Sequence, residues 1–178
     1  MSKKSIYDKN LKVLRSDAYL GTFSFLFSEI CQRFLASNKD CNLDQELIAL
    51  GEKIGAKFLD LIILREKNYK REIKHIEMLK FVQSTVWKHI FGKPADSLEK
   101  IKDSDTGFKI VDSNLNFIQF ASPHPIFHVG SFAAGIIQGL LKVANFPCEI
   151  QVSDGNSEGE IFFFIELSRD VITREAKI

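Results

Sequence analysis

Apolar residues recur with a helical period from Ser16 to Leu35. At 100° per residue, Tyr19, Phe23, Leu26, Phe27, Ile30 and Phe34 share one stripe, which reads as the core face of a first helix. Phe25 falls on the opposite side among Thr22, Glu29 and Gln32, while Leu20, Cys31 and Leu35 widen the stripe towards half the circumference. Such a helix has more apolar surface than one core contact uses. Isolated exposed phenylalanines are ordinary, but the surplus also suits a partner subunit.

A second helix is expected from an asparagine cap, Asn42, with Gln45 placed as its capping-box partner. It continues through Leu47, Ile54, Phe58, Leu61 and Ile62 and ends near Arg65. Gly51 and Gly55 lie inside its apolar stripe, where they would let another backbone come close. The charged residues 65–74 read as a solvated connection. The third helix runs from about Arg71 to Phe91, burying Ile73, Ile76, Leu79, Val82, Val86, Trp87 and Ile90. Gln83 falls inside that stripe and so needs a hydrogen-bond partner. Gly92 and then Pro94 stop the helix.

Beyond the polar link KPADSLEKIKDSD the period changes from 3.6 to 2. FKIVD and NFIQFA flank the turn SNLN and predict a hairpin. The proline-containing loop SPHPIFHVG follows, and Ser131 is expected to cap a fourth helix, SFAAGIIQGLL. CEIQV and EIFFFIEL then flank SDGNSEG as a second hairpin. Three helices, a hairpin, a helix and a hairpin fit an α+β fold, with helices on one face of a four-stranded antiparallel sheet. Gly135 and Gly139 each cost a helix interior about 1 kcal/mol against alanine. Their presence implies close packing, against the sheet or against the Gly51 and Gly55 patch.

Composition narrows the function classes. The chain has 178 residues, with 24 basic against 23 acidic side chains and a net charge of +1. That balance gives no nucleic-acid footprint. Sixteen phenylalanines against one tryptophan and three tyrosines imply a large apolar core, an apolar interface, or both. No run approaches the roughly 20 apolar residues that span a bilayer, and Gln138 and Lys142 interrupt the fourth helix. Residues 1–15 read as a flexible basic tail and 16–178 as one domain. Cys31, Cys41 and Cys148 follow no disulfide or metal spacing, which suits a reducing cytosolic compartment.

Catalytic signals are weak. The chain lacks G-x-S-x-G, P-loop, H-E-x-x-H and C-x-x-C motifs. Of its histidines, His75, His89, His124 and His128, the last two share the proline-containing loop at a spacing that is poor for zinc. Cys148 at a strand start reads as a small hydrophobe. No cofactor and no metal site is expected, and binding or scaffolding outweighs catalysis.

The segments LGEKIGAKFLDLIILREK, VWKHIFGKPADSLE and FAAGIIQGLLKVANFPCEIQV resemble a small subunit of the transport protein particle, the TRAPP vesicle-tethering complex. The likeness covers about Tyr19 to Val171, in the family's order. It implies an α/β-plait with four main helices on one side of a twisted four-stranded antiparallel sheet. It also implies a non-catalytic subunit that forms heterodimers with another small TRAPP subunit through its first two helices. Leu20, Phe25, Leu35 and Leu64 are then candidate partner contacts, and Gly51, Gly55, Gly135 and Gly139 close-packing positions. The family's complex promotes nucleotide exchange on a Rab-type GTPase in ER-to-Golgi transport, on the cytoplasmic side of cis-Golgi and ER membranes. Membrane association would come only through the complex, and the free apolar face leaves room for a homodimer when the chain is isolated. A sibling subunit carries an acylated cysteine near the start of the third helix; the matching position here is at or near Glu72, which cannot form a thioester. The space left for an apolar channel would depend on Phe81 and Phe132. The alternative is a small-molecule or haem-binding sensor of the same general fold, in which a histidine such as His75 would ligate iron.

Overall fold

A computed structural model of the chain describes residues 20–37, 42–67, 71–102, 104–115, 127–157 and 159–176. The expected basic tail, Tyr19, Cys41, the strand NFIQFA and His124 lie outside them. In chain order the elements are α1 (Leu20–Ser37), α2 (Leu43–Glu66), α3 (His75–Phe81), a π-helical turn (Val82–Val86) and α4 (Trp87–Phe91). They continue as β1 (Ser97–Lys100), β2 (Gly107–Asp112), α5 (Gly130–Val143), β3 (Cys148–Asp154), β4 (Ile161–Leu167) and α6 (Arg169–Glu175).

Local chemistry accounts for the boundaries. The Asn42 side chain accepts from the backbone N–H of Asp44 at 3.1 Å, satisfying a donor that the first turn of α2 would otherwise leave open. α3, the π turn and α4 form one rod, since the residues at both junctions keep right-handed helical geometry. The rod ends where Gly92 takes φ 83°. Asn145 ends α5 in the same left-handed region, with Phe146 N–H donating to the Leu141 carbonyl at 2.8 Å.

The sheet has the order β1-β2-β4-β3 and is antiparallel throughout. Gly107 lies opposite Glu166 and Cys148 opposite Leu167. Along β4, Ile161, Phe163, Ile165 and Leu167 are buried while Phe162 and Phe164 are half-buried, so the period-2 pattern separates a core face from an outer face. The Trp87 ring meets Phe163 edge-on with centroids 5.2 Å apart, which seats α4 on the core face.

Several expectations are corrected. β1 lies within the stretch expected to be a polar link, and β2 pairs with β1 on one edge and β4 on the other. Both edges of β2 are therefore filled, and the first hairpin is β1–β2, not FKIVD with NFIQFA. The third helix begins at His75, and Ile73 and Ile76 are exposed. On α1 the buried positions are Phe27 and Cys31, with Ile30 and Phe34 half-buried; Phe23 and Leu26 are exposed. On α2, Leu61 is exposed and Leu59 is buried in its place. Ser131 is not a cap, because α5 starts at Gly130 and the Ser131 hydroxyl donates to Asp44 Oδ1 at 2.6 Å. The same oxygen accepts the His128 N–H at 2.9 Å, so an acid from the first turn of α2 holds the start of α5. Gln83 finds its partner: its amide donates to the Ala95 carbonyl at 3.2 Å, and Ala95 N–H returns a bond to the Gln83 carbonyl at 3.0 Å.

Candidate functional site: a rigid helix pair and an outward apolar face

The centre of the molecule is the contact between α2 and α5, and it is made by backbone. A Cβ on Gly51 would stand 2.7 Å from Ile136 N, and one on Gly55 would stand 2.7 Å from the Ile136 carbonyl carbon. From the other side, a Cβ on Gly135 would meet Ile48 Cα at 2.7 Å, and one on Gly139 would meet Glu52 Cα at 2.6 Å. Two glycines four apart on each helix thus face each other. Real Cβ atoms do not approach backbone this closely, so all four positions need glycine for the packing observed. Gln138, between the two α5 glycines' turns, donates to Glu52 Oε1 at 2.7 Å and accepts Ile150 N–H at 3.1 Å. One side chain therefore joins α5 to α2 and to β3. Its polarity in an apolar helix marks it in the sequence; its partners do not show there.

α1 sits on this pair through aromatic contacts. The Phe27 and Phe132 rings are 5.4 Å apart, and Phe23 stacks on Phe27 at 6.2 Å. Cys31 is buried and Phe34 packs against the core, while much of the remaining apolar surface faces solvent. Phe25 is 81% exposed, Leu26 58% and Leu35 37%. α2 adds Leu61 and Leu64, three residues apart, with Leu64 59% exposed. Leu20 begins α1, but its side chain lies outside the described residues. Two long helices thus each carry several large exposed apolar side chains, the kind of surface that interaction sites use.

The cysteines and histidines among the described residues have structural surroundings. Burial pushes the Cys31 thiol up, and burial followed by the charges of Glu52 and Glu149 pushes Cys148 up to about 12. Neither is a reactive thiolate. His75 bonds through Nδ1 to Glu175, and its ring lies 5.5 Å from that of Phe108. His89 Nε2 pairs with Glu66 at 2.7 Å and His128 Nε2 with Asp154 at 3.0 Å. His128 Nδ1 also accepts Gly130 N–H at 3.0 Å. Among the described residues no three His, Cys, Asp or Glu side chains gather as metal ligands, and no helix is long and apolar enough to cross a membrane. The fully buried Asp112 accepts Trp87 Nε1–H at 2.6 Å and Asn114 N–H at 2.8 Å, and pairs with Lys93 at 2.7 Å. It is a structural knot that sequence reading missed.

Glu72 lines a cleft of about 360 Å³ beside Leu59, Ile63, Met78 and Phe81. Phe81 forms part of its wall, whereas Phe132 is buried against α1. A second cleft of about 260 Å³ shares Arg71, Glu72, Ala144 and Phe146 with it.

Comparison with known proteins agrees with this arrangement. Residues 23–168 match the family model described as transport protein particle (TRAPP) component. The chain is 36% identical over 182 residues to trafficking protein particle complex subunit 5 of Dictyostelium discoideum, covering 97% of each chain. It is 34% identical over 154 residues to subunit 5 of Homo sapiens, covering 83% of this chain and 81% of that one. Among solved structures, a subunit 3 from Naegleria fowleri, covalently bound to palmitic acid, superposes with a TM-score of 0.73 at 15% identity, covering 84% of this chain and 95% of that one. That likeness shows a shared fold, and the sequence likenesses and family model show the lineage: this chain belongs to the TRAPP component family.

Proposed function

We propose that this chain is a non-catalytic assembly subunit of the TRAPP vesicle-tethering complex, docking on another small TRAPP subunit through the outward faces of α1 and α2. The observation that carries this reading is the surplus apolar surface there, with Phe25 81% exposed on a helix already anchored to the core through Phe27. Leu35 and Leu64 belong to the same docking surface, together with Leu20 at the start of α1. The α2–α5 glycine contact serves it by fixing the angle at which α2 presents Leu64. The assembled complex would then act in ER-to-Golgi transport by promoting nucleotide exchange on a Rab-type GTPase. The subunit supplies architecture, reaching membranes at the cis-Golgi and ER through the complex.

The Naegleria relative carries covalent palmitate. By the family resemblance a sibling's acylated cysteine falls at or near Glu72 in this chain, and a carboxylate forms no thioester, so acylation by that route would be absent. Affinity isolation of the tagged chain from its own cells, followed by mass spectrometry, tests the reading. Other small TRAPP subunits should appear at near-equal stoichiometry, and the chain itself should have its unmodified mass. Recovery of the chain alone would sink the proposal.

A further inference from the structure

The two clefts beside Glu72 share Arg71, Ala144 and Phe146 as walls. The first also has Leu59, Ile63, Met78 and Phe81 in its wall. The second is lined on one side by Arg174, from α6. α6 has seven residues, too few to be stable by its own hydrogen bonds. Three side chains hold it in place. Val171 is buried in the core, the Arg174 guanidinium lies over the Phe146 ring at 5.2 Å, and Glu175 Oε2 accepts both the backbone N–H (3.1 Å) and the ring Nδ1 of His75. The last contact joins residues a hundred positions apart and falls at the first residue of α3, where Lys74 provides no side-chain cap.

We infer that α6 is a clasp beside these clefts, locked by Glu175 on His75, and that its release widens the cleft Arg174 lines, frees Phe146 in the wall both clefts share, and frays the first turn of α3 in one step. The linkage follows from the chain itself. Glu175 and Arg174 are neighbours on one turn, so freeing one loosens the other from Phe146. A short helix with one buried residue belongs to the low end of local stability, where opening occurs without global unfolding. Loss of Glu175 also removes the acceptor for His75 N–H, which a helix N-terminus leaves otherwise unsatisfied.

The test uses the full chain with Glu175→Ala, Arg174→Ala and a version ending at Ser168, each compared with the parent. Amide exchange at His75 and Met78 is read by NMR, and uptake of the apolar dye Nile red by fluorescence. Glu175→Ala should speed exchange at both amides by about tenfold, in line with loss of one charge-assisted bond, and raise dye uptake several-fold. Adding Ala144→Phe, which fills the shared wall, should cancel the extra uptake. Unchanged exchange, unchanged uptake, or extra uptake that Ala144→Phe leaves intact would overturn the clasp. Should the shortened chain fail to fold, the two point variants still decide it.

Discussion

Gly55 and Ile136 meet backbone to backbone: a Cβ on Gly55 would stand 2.7 Å from the Ile136 carbonyl carbon. Gly139 stands in the reciprocal relation to Glu52 on the other helix. The pair shows why an apolar helix keeps glycines that weaken it locally. Close approach of α2 and α5 recovers packing along their whole contact, and four missing methyl groups permit it.

Substitution at these positions is therefore expected to act through overpacking. Gly139→Leu and Gly55→Ala force α2 and α5 apart, at a cost of about 3 kcal/mol, and thermal denaturation should show a fall of roughly 6–12 °C for a chain of this size. Gly21, on α1, has nothing within 4 Å of an added Cβ. Gly21→Ala should be neutral or raise stability by up to about 1 kcal/mol. A thermal midpoint unchanged in Gly139→Leu would show that the helices are looser than described.

Asp112 offers a second test. Asp112→Ala removes the acceptor for the buried Trp87 Nε1–H and the partner of Lys93 together. The expected loss in chemical denaturation is about 3–5 kcal/mol. Trp87→Phe, which leaves Lys93 and Asn114 on the carboxylate, should cost less than Asp112→Ala. The reverse order would count against Asp112 as the centre of the knot.

The Glu175 carboxyl should govern part of the acid limb of stability. Partial burial pushes its pKa up, but the His75 N–H, the His75 ring and the charges of His75 and Lys74 outweigh this and hold it below the ordinary carboxylate value. A depressed folded-state pKa contributes stability above the unfolded value, about 4.3 for glutamate. That contribution is lost as pH falls through the folded value. Glu175→Gln should thus flatten stability against pH below about 4.3, as read by denaturant midpoints from pH 6 to pH 3. An unaltered acid limb would show that Glu175 is not held by His75 in solution.

Cys31 and Cys148 should be silent towards thiol reagents in the native state. With Cys148 pushed up to about 12, its thiolate is scarce near neutrality. Iodoacetamide at pH 8 should leave both unmodified on peptide mapping and alkylate both in denaturant. Rapid native labelling of Cys148 would contradict its raised pKa.

What the sequence revealed and what it hid differ by element for physical reasons. The β3–β4 hairpin is legible because alternation in EIFFFIEL reflects burial on one face, and the end of α4 because Gly92 alone accepts φ 83° cheaply. β1 was hidden because a four-residue edge strand with two exposed positions carries no apolar alternation. The hairpin partner for β2 was misjudged because local pattern cannot tell a neighbouring strand from β4, which arrives after some fifty residues of chain. On α1, periodicity placed the stripe but not its width: Leu26 and Phe27 are adjacent on the helix, yet Phe27 is buried against Phe132 and Leu26 is exposed. α6 and the Glu175–His75 tether have no local signature, since their meaning lies in a contact a hundred residues away.

The central claim is that the outward apolar face of α1 and α2 docks another small TRAPP subunit. The direct measurement is affinity isolation of the Phe25→Asp and Leu64→Asp chains, each checked by circular dichroism, beside the unaltered chain. Placing an unpaired carboxylate in an apolar contact costs several kcal/mol, whereas on a free surface it costs almost nothing. The account predicts folded variants that lose their partner subunit; partner recovered at undiminished stoichiometry on both variants would contradict it.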